Sequence, residues 1–153
     1  MTTVPPTIHV TLMQIAHTWA GRSTCSSRAA VGAIIVDDLY RVIASGYNGS
    51  PRGFPHCNQI GCTFDSDGHC ISSIHAEENA IIQCATSGVS CYGMTMYSTH
   101  LPCVRCSLRI AQAGIRNVIY EIEYGNVNDI ASVLMVAKIK LWRIKDGLLF
   151  PVL

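Results

Sequence analysis

Two short segments of this chain carry the residue types of a metal centre. His75-Ala76-Glu77 sets an imidazole two positions before a carboxylate, and Pro102-Cys103-Val104-Arg105-Cys106 spaces two thiols three positions apart. Positions i and i+3 share one face of a helix, so Cys103 and Cys106 can bind a single ion. Pro102 marks a helix entrance, and the positive end of the helix dipole favours the thiolate forms there. One imidazole and two thiolates make three protein ligands for Zn²⁺ and leave a fourth tetrahedral position to water, as a catalytic site requires. Zinc lowers the pKa of such a water from about 15.7 to about 7. Glu77 can reach the same cavity without being a ligand and serve as a proton shuttle. A structural zinc knot would instead want a fourth ligand and have no use for the acid.

These residues need elements to position them. Thr7 can cap a first helix whose Ile8, Leu12, Ile15, Ala16 and Trp19 recur at helical spacing, with Gly21 as its end. "VGAIIV" and "RVIASGY", split by Asp37-Asp38, read as a β-hairpin. From Asn48 to Ser73 the chain is rich in Gly, Pro, Cys and His, a long loop that needs a reason. A helix from about Ala76 to Gly88, a strand "MTMYST" and a second helix from Pro102 to Gly114 follow. "NVIYEIEY", "DIASVLMVAKI" and "KLWRI" then read as strand, helix and strand. The alternation predicts an α/β sandwich in one domain spanning 1–153, with its later strands parallel.

Composition excludes several classes. Hydrophobic residues make up 49% and charged residues 14%, so a substantial core is expected, with part of the surface covered by sister subunits. A net charge of +1 lacks the electrostatic footprint of a nucleic-acid binder. No apolar run approaches the roughly 20 residues of a membrane span. "MTTVPPTIHV" has neither the basic nor the apolar region of a signal peptide. The eight cysteines therefore read as metal ligands and core residues of a reducing, cytoplasmic compartment rather than a disulfide framework. Cys84 reads as core, and His9 and His17 as surface or satisfied histidines.

An H-x-E element followed by P-C-x-x-C is the signature of zinc nucleobase deaminases. The chain resembles the cytidine deaminase superfamily, and within it the dCMP deaminases of phage and bacterial type. "STCSSRAAVGAIIV", "GYNGSPRG", "HAEENAI", "PCVRC" and "AGIRNVIYEIEY" carry the resemblance. It implies a three-layer α/β/α sandwich with a mixed central sheet. It also implies zinc-dependent hydrolysis of dCMP to dUMP and ammonia for thymidylate synthesis, with dCTP as a further possible substrate. Zinc-bound hydroxide would attack C4 of cytosine, while Glu77 carries protons to N3 and to the leaving amine. Asn48, Ala76, Tyr124 and His100 would face the substrate. In a phage-encoded enzyme the compartment would be the host cytoplasm.

The resemblance further implies a homohexamer, activated by dCTP and inhibited by dTTP through a Mg²⁺-assisted site near "GYNGSPRG". Asn48, Gly49, Ser50 and Arg52 are the residues for that site, with Arg22 and Arg28 as further phosphate partners. Some members of the family hold a second, structural zinc. Cys25, Cys57, Cys62 and His69 are the expected ligands, with Cys70 or His56 as substitutes. Competing readings are a deaminase acting on tRNA adenosine, guanine or riboflavin-pathway pyrimidines, and a zinc-binding module without catalysis.

Overall fold

A computed structural model describes residues 7–68 and 70–153. Its centre is a six-stranded sheet in the order β2-β1-β3-β4-β5-β6. The strands are β1 (Gly32–Val36), β2 (Val42–Tyr47), β3 (Thr95–His100), β4 (Asn117–Ile122), β5 (Lys140–Lys145) and β6 (Leu148–Pro151). The expected hairpin is β1-β2, and β1 also pairs antiparallel with β3. From β3 through β4 to β5 the pairing is parallel, which makes the sheet mixed. The antiparallel β6 was not legible in the sequence, because Leu148–Pro151 is short and ends in proline.

The helices are α1 (Ile8–Ala20), the single turn α2 (Cys57–Ile60), α3 (Ala76–Thr86), α4 (Val104–Gln112) and α5 (Val127–Val136). Thr7 caps α1 as expected, its side chain accepting from the Val10 amide. Side-chain alternation along the strands divides the core into two layers. Ile34, Val36, Tyr97, Ile119 and Ile144 pack against Leu12, Met13 and Ala16 of α1. Ala33, Ile35, Met96, Val118, Tyr120 and Leu141 pack against Ala80, Ile110 and Leu134 from α3, α4 and α5. The result is the expected α/β/α sandwich.

Two glycines set how closely helices meet the sheet. A Cβ on Gly32 would lie 2.0 Å from the Ala16 carbonyl oxygen of α1, and one on Gly46 would lie 2.2 Å from the Ala76 carbonyl oxygen of α3. Backbone therefore rests on backbone at both places. On the outer edge of β2, Gln83 Oε1 accepts from the Ser45 amide at 2.6 Å, and Asn79 Nδ2 donates to the Tyr47 carbonyl at 3.0 Å. Residues one turn apart on α3 thus cap a strand edge that would otherwise invite pairing with another chain.

Among the described residues, no helix is long and apolar enough to cross a membrane. Gly46→Ala should force α3 off the sheet and cost about 1–3 kcal/mol or more of stability. Denaturant titration checks this, with Gly88→Ala as a milder comparison, since a Cβ there meets open space and only its positive φ of 66° opposes it.

Candidate metal centre

His75 and Cys103 occupy equivalent positions, each the N-cap of its helix with extended backbone. Neither side chain caps its own helix, so both are free to turn toward one another. His75 Nδ1 lies 3.6 Å from Cys103 Sγ and 3.4 Å from Cys106 Sγ. Ideal zinc bond lengths at tetrahedral angles give an N···S edge of about 3.6 Å. Both N···S distances therefore match those of an imidazole and thiolates sharing one zinc ion. Glu77, on the first turn of α3, is 4% exposed, and its Oε2 accepts from the Cys106 thiol at 3.7 Å. Glu78 of the same turn pairs with Arg109 at 2.9 Å and ties α3 to α4.

The protons of this cluster follow from its geometry. Cys103 is pulled down to about 3, first by the hydrogen bond from Cys106 and then by that from His75. Cys106 is pushed up, first by the neighbouring Cys103 sulfur and then by burial. His75 is held above the usual imidazole range, chiefly by Cys103. Burial pushes the Glu77 carboxyl up, which favours a group that holds a proton. Without metal, the cluster thus favours a thiolate at Cys103 beside a thiol at Cys106.

The donors stand at the wall of a cavity of about 350 Å³. Asn48, Ala76, His100 and Tyr124 all line it, which brings the four expected substrate-facing residues together. Asn48 is 5% exposed, with Oδ1 accepting from the Val31 amide and Nδ2 donating to the Ala29 carbonyl. It pins the cavity wall at Ala29–Val31 and retains one N–H for a ligand. Arg28 also lines this cavity, and its Nη1 donates to the Tyr124 hydroxyl at 3.3 Å. No local pattern of residues signals that Arg28 belongs here rather than with the "GYNGSPRG" loop.

That loop divides between two places. Gly49 bridges to Ile74 through both of its backbone groups. Ser50 and Arg52 line a second cavity, about 680 Å³, with Trp19, Tyr47, Phe54 and Asn79. Arg22 stands over the Tyr47 ring at 5.7 Å, and Trp19 stacks on that ring.

The remaining thiols also cluster. Cys25, Cys57, Cys62 and Cys70 bring their sulfurs within 4.8 Å of one another. Cys57 and Cys70 are 4.0 Å apart, close to the roughly 3.8 Å S···S edge of a tetrahedral zinc tetrathiolate. Burial pushes Cys70 up to about 12, whereas a hydrogen bond from Ser27 pulls Cys62 down to about 6. His69 lies outside the described residues; among the described residues the fourth member of the cluster is Cys70, one of the two expected substitutes. His56, the other, turns instead to Thr24, with Nδ1 3.3 Å from its hydroxyl.

Residues 6–122 match the family model of the cytidine and deoxycytidylate deaminase zinc-binding region. ComE operon protein 2 of Bacillus subtilis is 50% identical over 112 residues, which are 73% of this chain and 58% of that protein. Deoxycytidylate deaminase of Schizosaccharomyces pombe is 38% identical over 136 residues, or 84% of this chain and 41% of that protein. The chain thus spans about half the length of these curated relatives. The dCMP deaminase of cyanophage S-TIM5, solved with dCMP and dUMP, superposes with a TM-score of 0.78 at 34% identity, covering 93% of this chain and all of that one.

Zinc competes with protons for His75 and the two thiols, so its affinity should fall as pH falls below neutrality. Competition with a chromophoric chelator across pH measures this. Elemental analysis should return two zincs per chain, and Cys57→Ser should lower that to one.

Proposed function

The chain belongs to the cytidine and deoxycytidylate deaminase family, and on that premise we propose that it hydrolyses dCMP to dUMP and ammonia, with dCTP as a second possible substrate. The observation that carries this reading is the juxtaposition of His75, Cys103 and Cys106 with a buried acid, Glu77, at the wall of one cavity. The three donors would hold zinc, which supplies, when bound, an acidified water as nucleophile.

The chain's own residues supply the rest. Glu77, with its carboxyl pushed up by burial, receives a proton from the nucleophilic water and delivers it to N3 of the cytosine. Glu77 then takes the proton of the hydroxyl added at C4 and passes it to the amine, which leaves as ammonia, so that water and dCMP balance dUMP and ammonia. The buried backbone of Ala76 and the amide of Asn48 orient base and sugar, and the wall pinned by Asn48 excludes bulk water.

Three further elements belong to the same reading. Cys25, Cys57, Cys62 and Cys70 hold a structural zinc that orders the long loop. The second cavity, with Ser50 and Arg52 on its wall, takes the Mg²⁺-assisted regulatory dCTP or dTTP. The chain works as a homohexamer in the cytoplasm, a reducing compartment suited to its eight free thiols.

Ammonia release from dCMP, dCTP, deoxycytidine and CMP, measured in parallel, tests the reaction. Turnover of dCMP with little on CMP is expected, and silence on all four with zinc bound overturns it. Glu77→Gln should lose about two or more orders of magnitude in kcat while retaining zinc. Arg52→Ala should abolish the response to dCTP and dTTP and leave unstimulated turnover near normal.

A further inference from the structure

Thr99 is fully buried and sits between two partners. Its Oγ1 lies 3.2 Å from the Gly32 amide nitrogen and 3.0 Å from His100 Nδ1. A backbone N–H can only donate, so the Gly32 contact occupies Oγ1 as an acceptor. The single hydroxyl proton then needs an acceptor of its own, and among the described residues His100 Nδ1 is the one placed to receive it. A hydroxyl that accepted from both neighbours would leave its buried proton unsatisfied. His100 therefore carries its ring proton on Nε2. Burial holds this imidazole below its ordinary range, in keeping with the neutral form, and the neighbouring His17 acts in the same direction. The nearby acid, Glu121, is itself engaged by His17.

His100 ends β3, at the carboxyl end of the parallel strands, where ligands of open α/β sheets bind. It pairs with Ile122 of β4, and Tyr124 follows two residues on. Both side chains line the catalytic cavity, and Arg28 reaches the Tyr124 hydroxyl from the opposite segment. One imidazole N–H, one phenol and one guanidinium thus stand on the cavity wall together. Hydrogen-bond donors beside a guanidinium suit a phosphate dianion far better than the uncharged base or sugar.

We propose that Thr99 is a positioning residue that locks His100 as the Nε2–H tautomer, so that His100 donates to the phosphate of the bound nucleotide beside Arg28 and Tyr124. This rests on the nucleotide reading above and makes Thr99 and His100 determinants of nucleotide over nucleoside.

Two measurements test it on the zinc-loaded protein. In nitrogen-15 spectra of the imidazoles, with His100 assigned by its loss in His100→Gln, Nδ1 should resonate as unprotonated and Nε2 as protonated. Thr99→Ser should preserve that pattern and Thr99→Val should lose it. In a Glu77→Gln background, calorimetry should show Thr99→Val and His100→Leu each weakening dCMP about tenfold while deoxycytidine affinity holds, with Thr99→Ser restoring dCMP. A wild-type Nδ1–H tautomer overturns the lock. Equal loss for both ligands, or loss for neither, overturns the phosphate role and leaves the deaminase reading intact. If the Thr99-intact protein binds neither ligand, the nucleotide reading fails and takes the phosphate role with it, while the spectra still decide the tautomer.

Discussion

Contact of α3 with β2 over Gly46 is the constraint on which the site depends. A side chain at position 46 would occupy the space of the Ala76 carbonyl and the Ala80 amide. Its absence lets the first turn of α3 lie on the sheet, and that turn carries His75 and Glu77. Asn79 and Gln83 then fasten the same helix to the strand edge through hydrogen bonds to backbone. Cys103 and Cys106 arrive independently, on the helix that follows β3. The near-tetrahedral spacing of imidazole and thiols is a property of two backbones held in register, and an outward shift of either helix by about 1 Å would lose it.

Burial has a double consequence at this centre. It raises the carboxyl of Glu77 toward the range where an acid can hold and return a proton, and it strengthens every interaction within the cluster. The thiols resist burial as anions, yet the pairing of Cys103 with His75 and Cys106 places one thiolate there before any metal is considered. A cation then replaces protons rather than creating charge in a dry site, which is why metal affinity and protonation are bound together here.

The stretch between β2 and α3 solves a different problem. Phe54, Ile60, Phe64 and Ile71 are all exposed, so this segment has little apolar core of its own. What it buries is sulfur: Cys57 and Cys70, packed on Cys25 with Cys62 at the margin. A four-thiol cluster can cross-link distant segments where hydrophobic burial is insufficient. The same segments build the cavity beside His75 and Glu77, since Ser27 and Arg28 follow Cys25 closely, and Cys70 and Ser73 line that space. Order in the loop and shape in the cavity are therefore one property.

Much of this could be read from residue order alone. Helical and alternating periodicities are local, so α1, the hairpin, α3 to α5 and the strands between them were legible within a few residues. So were the three donors and the acid, because ligand chemistry restricts which residue types serve and helix geometry restricts their spacing. Contacts between segments remote in sequence were not legible. Linear spacing places Arg28 and Tyr124 almost a hundred residues apart, yet they hydrogen-bond across one cavity. The choice of Cys70 for the thiol cluster depends on a backbone bridge between Phe64 and Cys70, and the role of Thr99 on an amide donated from β1. Residue type and local period determined the kind of chemistry. The tertiary structure decided which groups share a wall, because hydrogen bonds and thiol clusters select partners by distance in space.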